Sequence, residues 1–357
     1  MTNLAAFVIL WMLIAETSIG PASGLSQSDW DRWASAAKST FEKAVDVGKD
    51  SIVKLSTAAG KVVNHVKDAT LGERCNKRWI IANTSGLEQT LKASLCGQHI
   101  AIKHILASLG QLKRDFKSKS MHQPRLFHFY GGRGTGKTYA AQIVIDHLYR
   151  QGEYSSFVHV FSPAKDFPDR TMDYIYASRL RQKLIKLVSL CPHRLFIFDD
   201  FDKMSLLVNL ALKPLLAKSR VQEFSRSIFL FMGTGGQERI MSTLISLYRD
   251  GASRDTLTAD SFRQSRGPTT GTCGADRICD AGVDTTLESR FVDVPFLPLE
   301  RAHVECCLKS AARRLSCSVE QYQDRLTKAV DFRKYERWEF AAAGCKKLAI
   351  QLIDVCL

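Results

Sequence analysis

The sequence predicts an α/β fold: a five-stranded parallel sheet flanked by helices, with a small C-terminal helical lid and an N-terminal amphipathic helix. Three observations carry this. A glycine-rich loop at 131–138 stands between an apolar run of strand length, 126–130, and a stretch with helical spacing, YAAQIVIDHLY. A second apolar run, 195–198, ends in two carboxylates, Asp199 and Asp200. Three further apolar runs, 157–161, 227–232 and 292–296, alternate with helical stretches. That alternation is the pattern of a parallel sheet with its ligand at the C-terminal edge.

The chain has 357 residues, 45% hydrophobic and 24% charged. This is ordinary globular composition and excludes wholesale disorder and collagen-like repeats. Lys and Arg exceed Asp and Glu by 50 − 36 = 14, a prior for anionic partners such as phosphate ligands, nucleic acid or a lipid surface. Ten cysteines are too few for a disulfide scaffold.

The elements follow in chain order, with boundaries expected at 1–24, 25–74, 75–299 and 300–357. Residues 4–15 form a short apolar run followed by small residues, ETSIGPASG. A membrane span needs about 20 apolar residues, so 1–24 reads as a cleavable signal peptide with cleavage near Gly24. The n-region, MTN, departs from the pattern in lacking Lys and Arg. A cleaved signal implies an oxidising compartment in which disulfides form. Asn83-Thr84-Ser85 is a glycosylation sequon and agrees with secretion.

In 25–74 the spacing predicts a long helix. Trp30, Phe41, Ile52 and Val63 recur every eleven residues, as do Trp33, Ala44, Leu55 and Val66. Eleven residues in three turns keep such rows on one face. The other face is charged, with Lys38, Glu42, Lys43, Asp46, Lys49, Lys54 and Lys61. Lysines flanking an apolar stripe suit a helix lying on anionic lipid; a right-handed coiled coil and a helix packed on its own domain are the alternatives.

Gly131-Gly132-Arg133-Gly134-Thr135-Gly136-Lys137-Thr138 fits the phosphate-binding P-loop. Glycines let backbone N–H groups approach phosphate oxygens, Lys137 adds charge at the β/γ-phosphates, and the Thr138 hydroxyl suits Mg²⁺. The helix that follows places the phosphates at its N-terminus. Asp199, 62 residues after Lys137, is then the metal-positioning carboxylate of a Walker B strand. Asp200 sits where a carboxylate polarises the attacking water. The run 227–232 ends at Gly233-Thr234, a tip aimed at the γ-phosphate.

At this point residues 83–357 resemble the torsins, AAA+ ATPases of the endoplasmic reticulum lumen and nuclear envelope, related to the Clp/HSP100 disaggregases. The resemblance rests on Gly97-Gln98-His99, on Phe196-Ile197-Phe198-Asp199-Asp200-Phe201-Asp202-Lys203-Met204, on Gly235-Gly236-Gln237-Glu238-Arg239-Ile240, on the segment opening with Pro295-Phe296-Leu297-Pro298, and on Gly344-Cys345-Lys346. It implies binding of ATP with Mg and assembly of the chain with itself. It also implies a lumenal activator of the lamina-associated or lumenal-domain-like type that supplies an arginine finger. The implied roles are Thr234 as sensor 1, Lys346 as sensor 2, and remodelling of protein complexes at a membrane surface without nucleic acid.

The departures bear on turnover. Thr138 stands where torsins usually have asparagine, Asp200 replaces a glutamate, and Thr234 replaces an asparagine. Asp200 is one methylene shorter, and ~1 Å of misplacement can cost ~100-fold in rate. A chain that binds ATP without hydrolysing it is therefore the alternative. The resemblance also implies disulfides Cys75–Cys191 and Cys307–Cys345; for the second, two buried free thiols remain open. Cys273 and Cys279, in a Ser/Thr/Gly/Arg-rich loop without histidine, do not suggest a metal site. Arg290 falls near the Clp finger position, with a surface arginine capping a lid hinge as the preferred reading. A nucleic-acid ATPase would use Arg179-Leu180-Arg181-Gln182-Lys183 or Arg333-Lys334-Tyr335, but a signal peptide argues against it.

Overall fold

The computed structural model describes residues 73–110, 123–216, 221–262, 290–315, 317, 323–346, 348 and 351–352. The expected signal peptide, the eleven-residue repeats and the cysteines Cys273 and Cys279 lie outside these residues. The chain divides between Glu73 and Arg74, and the second unit carries the fold.

Its first helix, α1 (Thr84–Ser94), is capped by Asn83, whose Oδ1 accepts from the Gly86 N–H at 3.1 Å. Asn is a strong N-cap because it satisfies a donor the helix leaves open. There follow α2 (His99–Leu109), β1 (Arg125–Gly131), α3 (Lys137–Leu148), β2 (Val158–Phe161), α4 (Asp173–Leu190), β3 (Leu195–Phe198), α5 (Leu206–Leu216), β4 (Ile228–Gly233), α6 (Gln237–Arg249) and β5 (Phe291–Phe296). The C-terminal part holds α7 (Arg301–Leu315), α8 (Gln323–Lys328), β6 (Phe332–Tyr335) and β7 (Trp338–Ala341).

Strands β1 to β5 form one parallel sheet in the order β2-β3-β4-β1-β5. The register pairs Phe129 with Met232, Phe196 with Phe229, and His128 with Asp293. Helices cover both faces, which is why β3 and β4 are buried at every position. Period-2 alternation sorts their side chains. Phe196 and Phe198 of β3, with Phe229 and Phe231 of β4, pack against Leu180, Leu184 and Val188 of α4 and Val208 and Leu212 of α5. Ile197, Leu230, Met232, Phe127 and Phe129 pack on α1, α2 and α3. Phe198 and Phe231 stack at 5.0 Å.

The C-terminal region packs a separate small core of Leu299, Val304, Leu308, Leu326, Leu348 and Leu352. Beside its helices it carries an element the sequence reading did not include, the antiparallel hairpin β6–β7, with Tyr335 opposite Trp338. Its two-residue turn is Glu336-Arg337, with Glu336 at φ +56°. The turn lacks the Asn-Gly or Asp-Gly signature that makes such hairpins readable. Among the described residues, no helix is long and apolar enough to cross a membrane.

Candidate nucleotide-binding site

The strand order puts β4 between β1 and β3, so the P-loop, Thr234 and Asp199 leave three neighbouring strands at the same edge. The loop departs from β1 with Gly131 at φ +136° and passes Gly134 at φ +71°. A side chain at Gly131 would overlap the Phe296 carbonyl of β5, and one at Gly134 the Ala343 carbonyl of the C-terminal region. Both conformations favour glycine. Thr135 is buried, and its Oγ1 donates to the Gly132 carbonyl at 2.8 Å. Arg133 and Thr138 are exposed at the rim.

Lys137 opens α3 and turns its ammonium back over the loop. Nζ donates to the Gly131 and Gly132 carbonyls, each at 2.7 Å. Burial pushes its pKa from 10.5 down to about 8, against the opposing pull of Asp202, Asp199 and Asp200. Burial likewise raises the Asp199 carboxyl above the usual range, while its Oδ1 accepts from the Asp200 N–H at 3.0 Å. Asp200 adopts φ +50°, ψ +40°, and its carboxylate pairs with Lys203 at 2.8 Å, half exposed. In this conformation the expected water activator is therefore engaged with a lysine three residues on.

Thr234 donates through Oγ1 to Asp202 Oδ2 at 2.7 Å, and its N–H donates to the same oxygen at 3.1 Å. Asp202 is a site residue that motif reading left without a role. The single turn Phe201–Lys203 brings it back between Lys137 and Thr234, and the only signal was a third carboxylate after Asp199 and Asp200. Its Oδ1 is buried with no hydrogen-bond partner. A buried orphan oxygen costs the full desolvation penalty, so the pocket has room in its chemistry for a cation or water. An ammonium held below its ordinary pKa and an orphan carboxylate oxygen together fit a Mg-nucleotide.

Lys346 is exposed, directly after the turn 342–345 that follows β7. That turn lies on the P-loop: the Cys345 N–H donates to the Gly134 carbonyl at 3.1 Å. Lys137, Asp199, Asp200 and Thr234 thus gather at one edge, with Thr138 and Lys346 at its margin. The Cys307 and Cys345 sulfurs lie at bonding distance, Cα atoms 6.3 Å apart. Cys75 and Cys191 are likewise at bonding distance, Cα atoms 5.6 Å apart. A third pair, Cys96 and Cys306, Cα 5.9 Å, was missed; the adjacent cysteines at 306 and 307 were its one signal.

Gln98 belongs to the Gly97-Gln98-His99 element of the resemblance. The structure gives it three hydrogen bonds. Nε2 donates to the Thr135 carbonyl at 3.0 Å and the Leu297 carbonyl at 2.8 Å, and Oε1 accepts from the Leu297 N–H at 2.9 Å. It is 1% exposed and stitches the P-loop to the segment joining β5 and α7. Gln98→Ala strands these backbone groups, at ~1–3 kcal/mol each unless water enters. We expect a melting temperature lower by roughly 5–10 °C in calorimetry.

Behind it, Arg254 donates to the Gly97 carbonyl at 2.8 Å and to Glu300 at 3.0 Å, and Glu300 accepts from the Tyr248 hydroxyl at 2.6 Å. This part-buried network fixes the start of α7. Arg290, expected as a surface arginine, is half-buried; its Nη1 donates to the Leu216 carbonyl at 2.6 Å, at the C-terminal end of α5, where a cation complements the helix dipole.

Comparison with known proteins agrees with this geometry. Residues 69–198 match the family model described as Torsin. A torsin-like protein of Drosophila melanogaster is 29% identical over 290 residues, 77% of this chain and 82% of its own. A torsin-like protein of Caenorhabditis elegans is 27% identical over 311 residues, 84% and 85% of the two chains. Torsin-3A of Mus musculus is 29% identical over 275 residues, 75% and 70%. A closed-state reconstruction of Hsp104 with ATPγS and FITC casein superposes with a TM-score of 0.50 at 18% identity, over 76% of this chain. This chain spans 46% of that one, and the likeness shows the fold. The chain is thus similar to proteins named torsins over residues 69–198 and beyond, and shares the fold of Hsp104.

Proposed function

We propose that this chain is a torsin-like lumenal ATPase that binds Mg-ATP at residues 131–138 and remodels protein complexes at the membrane of the endoplasmic reticulum or nuclear envelope. The observation that supports it most is the convergence of Lys137, Asp199, Asp202 and Thr234 at the edge of three adjacent parallel strands. In this reading the P-loop N–H groups and the Lys137 ammonium hold the phosphates. Thr138 and Asp199 hold Mg²⁺, which supplies charge neutralisation on the phosphate oxygens. Asp200 orients water once released from Lys203, Thr234 reports on the γ-phosphate through Asp202, and Lys346 reaches in from the C-terminal turn. Asn83 is exposed and carries the proposed glycan.

The finger is proposed to come from a lumenal activator, because Arg290 is held to the Leu216 carbonyl. Steady-state ATPase assays on the processed chain, alone and with such an activator domain, test this. Activity that requires the activator is the expected result; equal activity without it contradicts the partner, and none under either condition contradicts hydrolysis. The second reading, an ATP-binding scaffold, draws on the Asp200–Lys203 pair. Asp200→Glu separates the two: the longer carboxylate is expected to raise turnover roughly 10-fold or more, whereas a scaffold stays silent.

A pH dependence follows from Lys137. Its pKa of about 8 lies below the ordinary 10.5, so between these values the unfolded chain binds more protons and this group's contribution to stability rises with pH. Nucleotide binding runs the other way, because phosphate favours the ammonium. Binding should take up protons near pH 8.5 and weaken above it. Calorimetric titration in two buffers of different ionisation enthalpy reads the uptake, which Lys137→Ala removes.

A further inference from the structure

Helix α4 carries a concentration of positive charge that the nucleotide site leaves unused. From Tyr174 to Phe198 the chain has no Asp or Glu, and it holds Arg179, Arg181, Lys183, Lys186 and Arg194. The helix turns Leu180, Leu184 and Val188 into the core. At 100° per residue, Ile175, Arg179, Lys183, Lys186 and Leu190 fall within about 80° of one another on the face away from that core, a row about 22 Å long. All five are exposed, with Leu190 at 68% and Ile175 at 38% closing the basic row at its two ends. Tyr174, 79% exposed, adds an aromatic ring beside Ile175.

Among the described residues no ion pair involves the cations of this row. Lys183 lies over the Phe161 ring at 5.1 Å. Burial chiefly, with Arg194 and Lys183 adding to it, pushes His159 on the adjacent strand down to about 4. The C-terminal end of α4 meets the start of the unit, because Cys191 and Cys75 are at bonding distance. Arg74, Lys77 and Arg78 are exposed there. Arg150 donates to the Arg78 carbonyl at 3.5 Å and extends the basic corner.

We propose that the outward face of α4, with the corner at residues 74–78, lies on an anionic phospholipid surface. The proposal deepens the membrane side of the function above and rests on it. Long cations around apolar ends match a headgroup layer, in which charges reach phosphates while Ile175, Leu190 and Tyr174 enter the acyl boundary. A convex helix row without a groove offers little to a partner that needs a shaped pocket. It also lacks the successive aromatic platforms that single-stranded nucleic acid uses.

The test is co-sedimentation of the chain, as processed by the expressing cell, with phosphatidylcholine vesicles with or without 30% phosphatidylserine. The parent should bind the anionic vesicles and lose binding as salt rises. Arg179→Gln with Lys183→Gln and Lys186→Gln should lower partitioning about 100-fold, roughly fivefold per charge. Lys92→Gln with Lys103→Gln and Lys309→Gln removes equal charge elsewhere and should change it far less. ATP binding is measured on each variant, so failure of the nucleotide reading stays separate from failure of this one. Independently of any variant, vesicles should protect Lys183 and Lys186 of the parent from acetylation. Partitioning equal to the parent, equal loss in both triple variants, unprotected lysines, or a change in self-association without vesicle loss would each overturn the proposal, the last by making the face a protein interface.

Discussion

We expect Lys137→Ala to lower affinity for Mg-ATP by at least ~100-fold and to remove any turnover, while the chain stays folded. The size follows from what is removed. Truncating one member of a buried, hydrogen-bonded charge pair across a binding interface costs about 2–5 kcal/mol, and the pair at stake is the Lys137 ammonium, held over the loop carbonyls, with the phosphates it would meet. The fold should survive because this ammonium is held below its ordinary pKa by burial; folding opposes its charge rather than depending on it. Fluorescent-nucleotide binding and circular-dichroism melting, made on the same preparation, separate the two effects. Unchanged affinity would move the nucleotide away from this loop.

Gly134→Ala should destabilise the chain by ~3 kcal/mol and free the C-terminal turn from the P-loop. Gly134 sits at φ +71°, where an L side chain costs about 1–2 kcal/mol. Its new Cβ would overlap the Ala343 carbonyl and crowd Gly344. The Gly134 carbonyl accepts from the Cys345 N–H, so displacing the turn also strands a backbone acceptor. The expected readout is a melting temperature lower by roughly 5–10 °C and faster proteolysis between 341 and 346. An unchanged melt would mean that the turn does not rest on the loop.

Much of this arrangement is written locally in the chain. β3 and β4 are continuous apolar runs because both faces of the sheet are covered, and a run of that kind survives any tertiary context. The P-loop is legible because its residue types are dictated by backbone geometry over eight positions. What stayed hidden depends on contacts far apart in sequence. Gln98 bonds Thr135 and Leu297, 37 and 199 residues away. Arg254 bonds Gly97 across 157 residues. Cys96 meets Cys306 across 210, and no spacing rule selects that partner. Arg290 illustrates the converse: its position left a finger and a surface arginine at a lid hinge both open, and its bond to the end of α5 was written in neither. The β6–β7 hairpin stayed hidden because a charged Glu-Arg turn carries no local signal.

Asp202 falls between these cases. It was visible in the motif, yet its role came only from the turn that carries it back toward Lys137. Its buried Oδ1 without a partner links fold to chemistry, since that oxygen is costly unless the site is filled.

The most direct test of the account is an equilibrium titration of the processed chain with ATP, with and without Mg²⁺. The account predicts saturable binding with one site per chain, tighter with Mg²⁺ than without, and abolished by Lys137→Ala. The absence of saturable binding at physiological concentrations of Mg-ATP would contradict it.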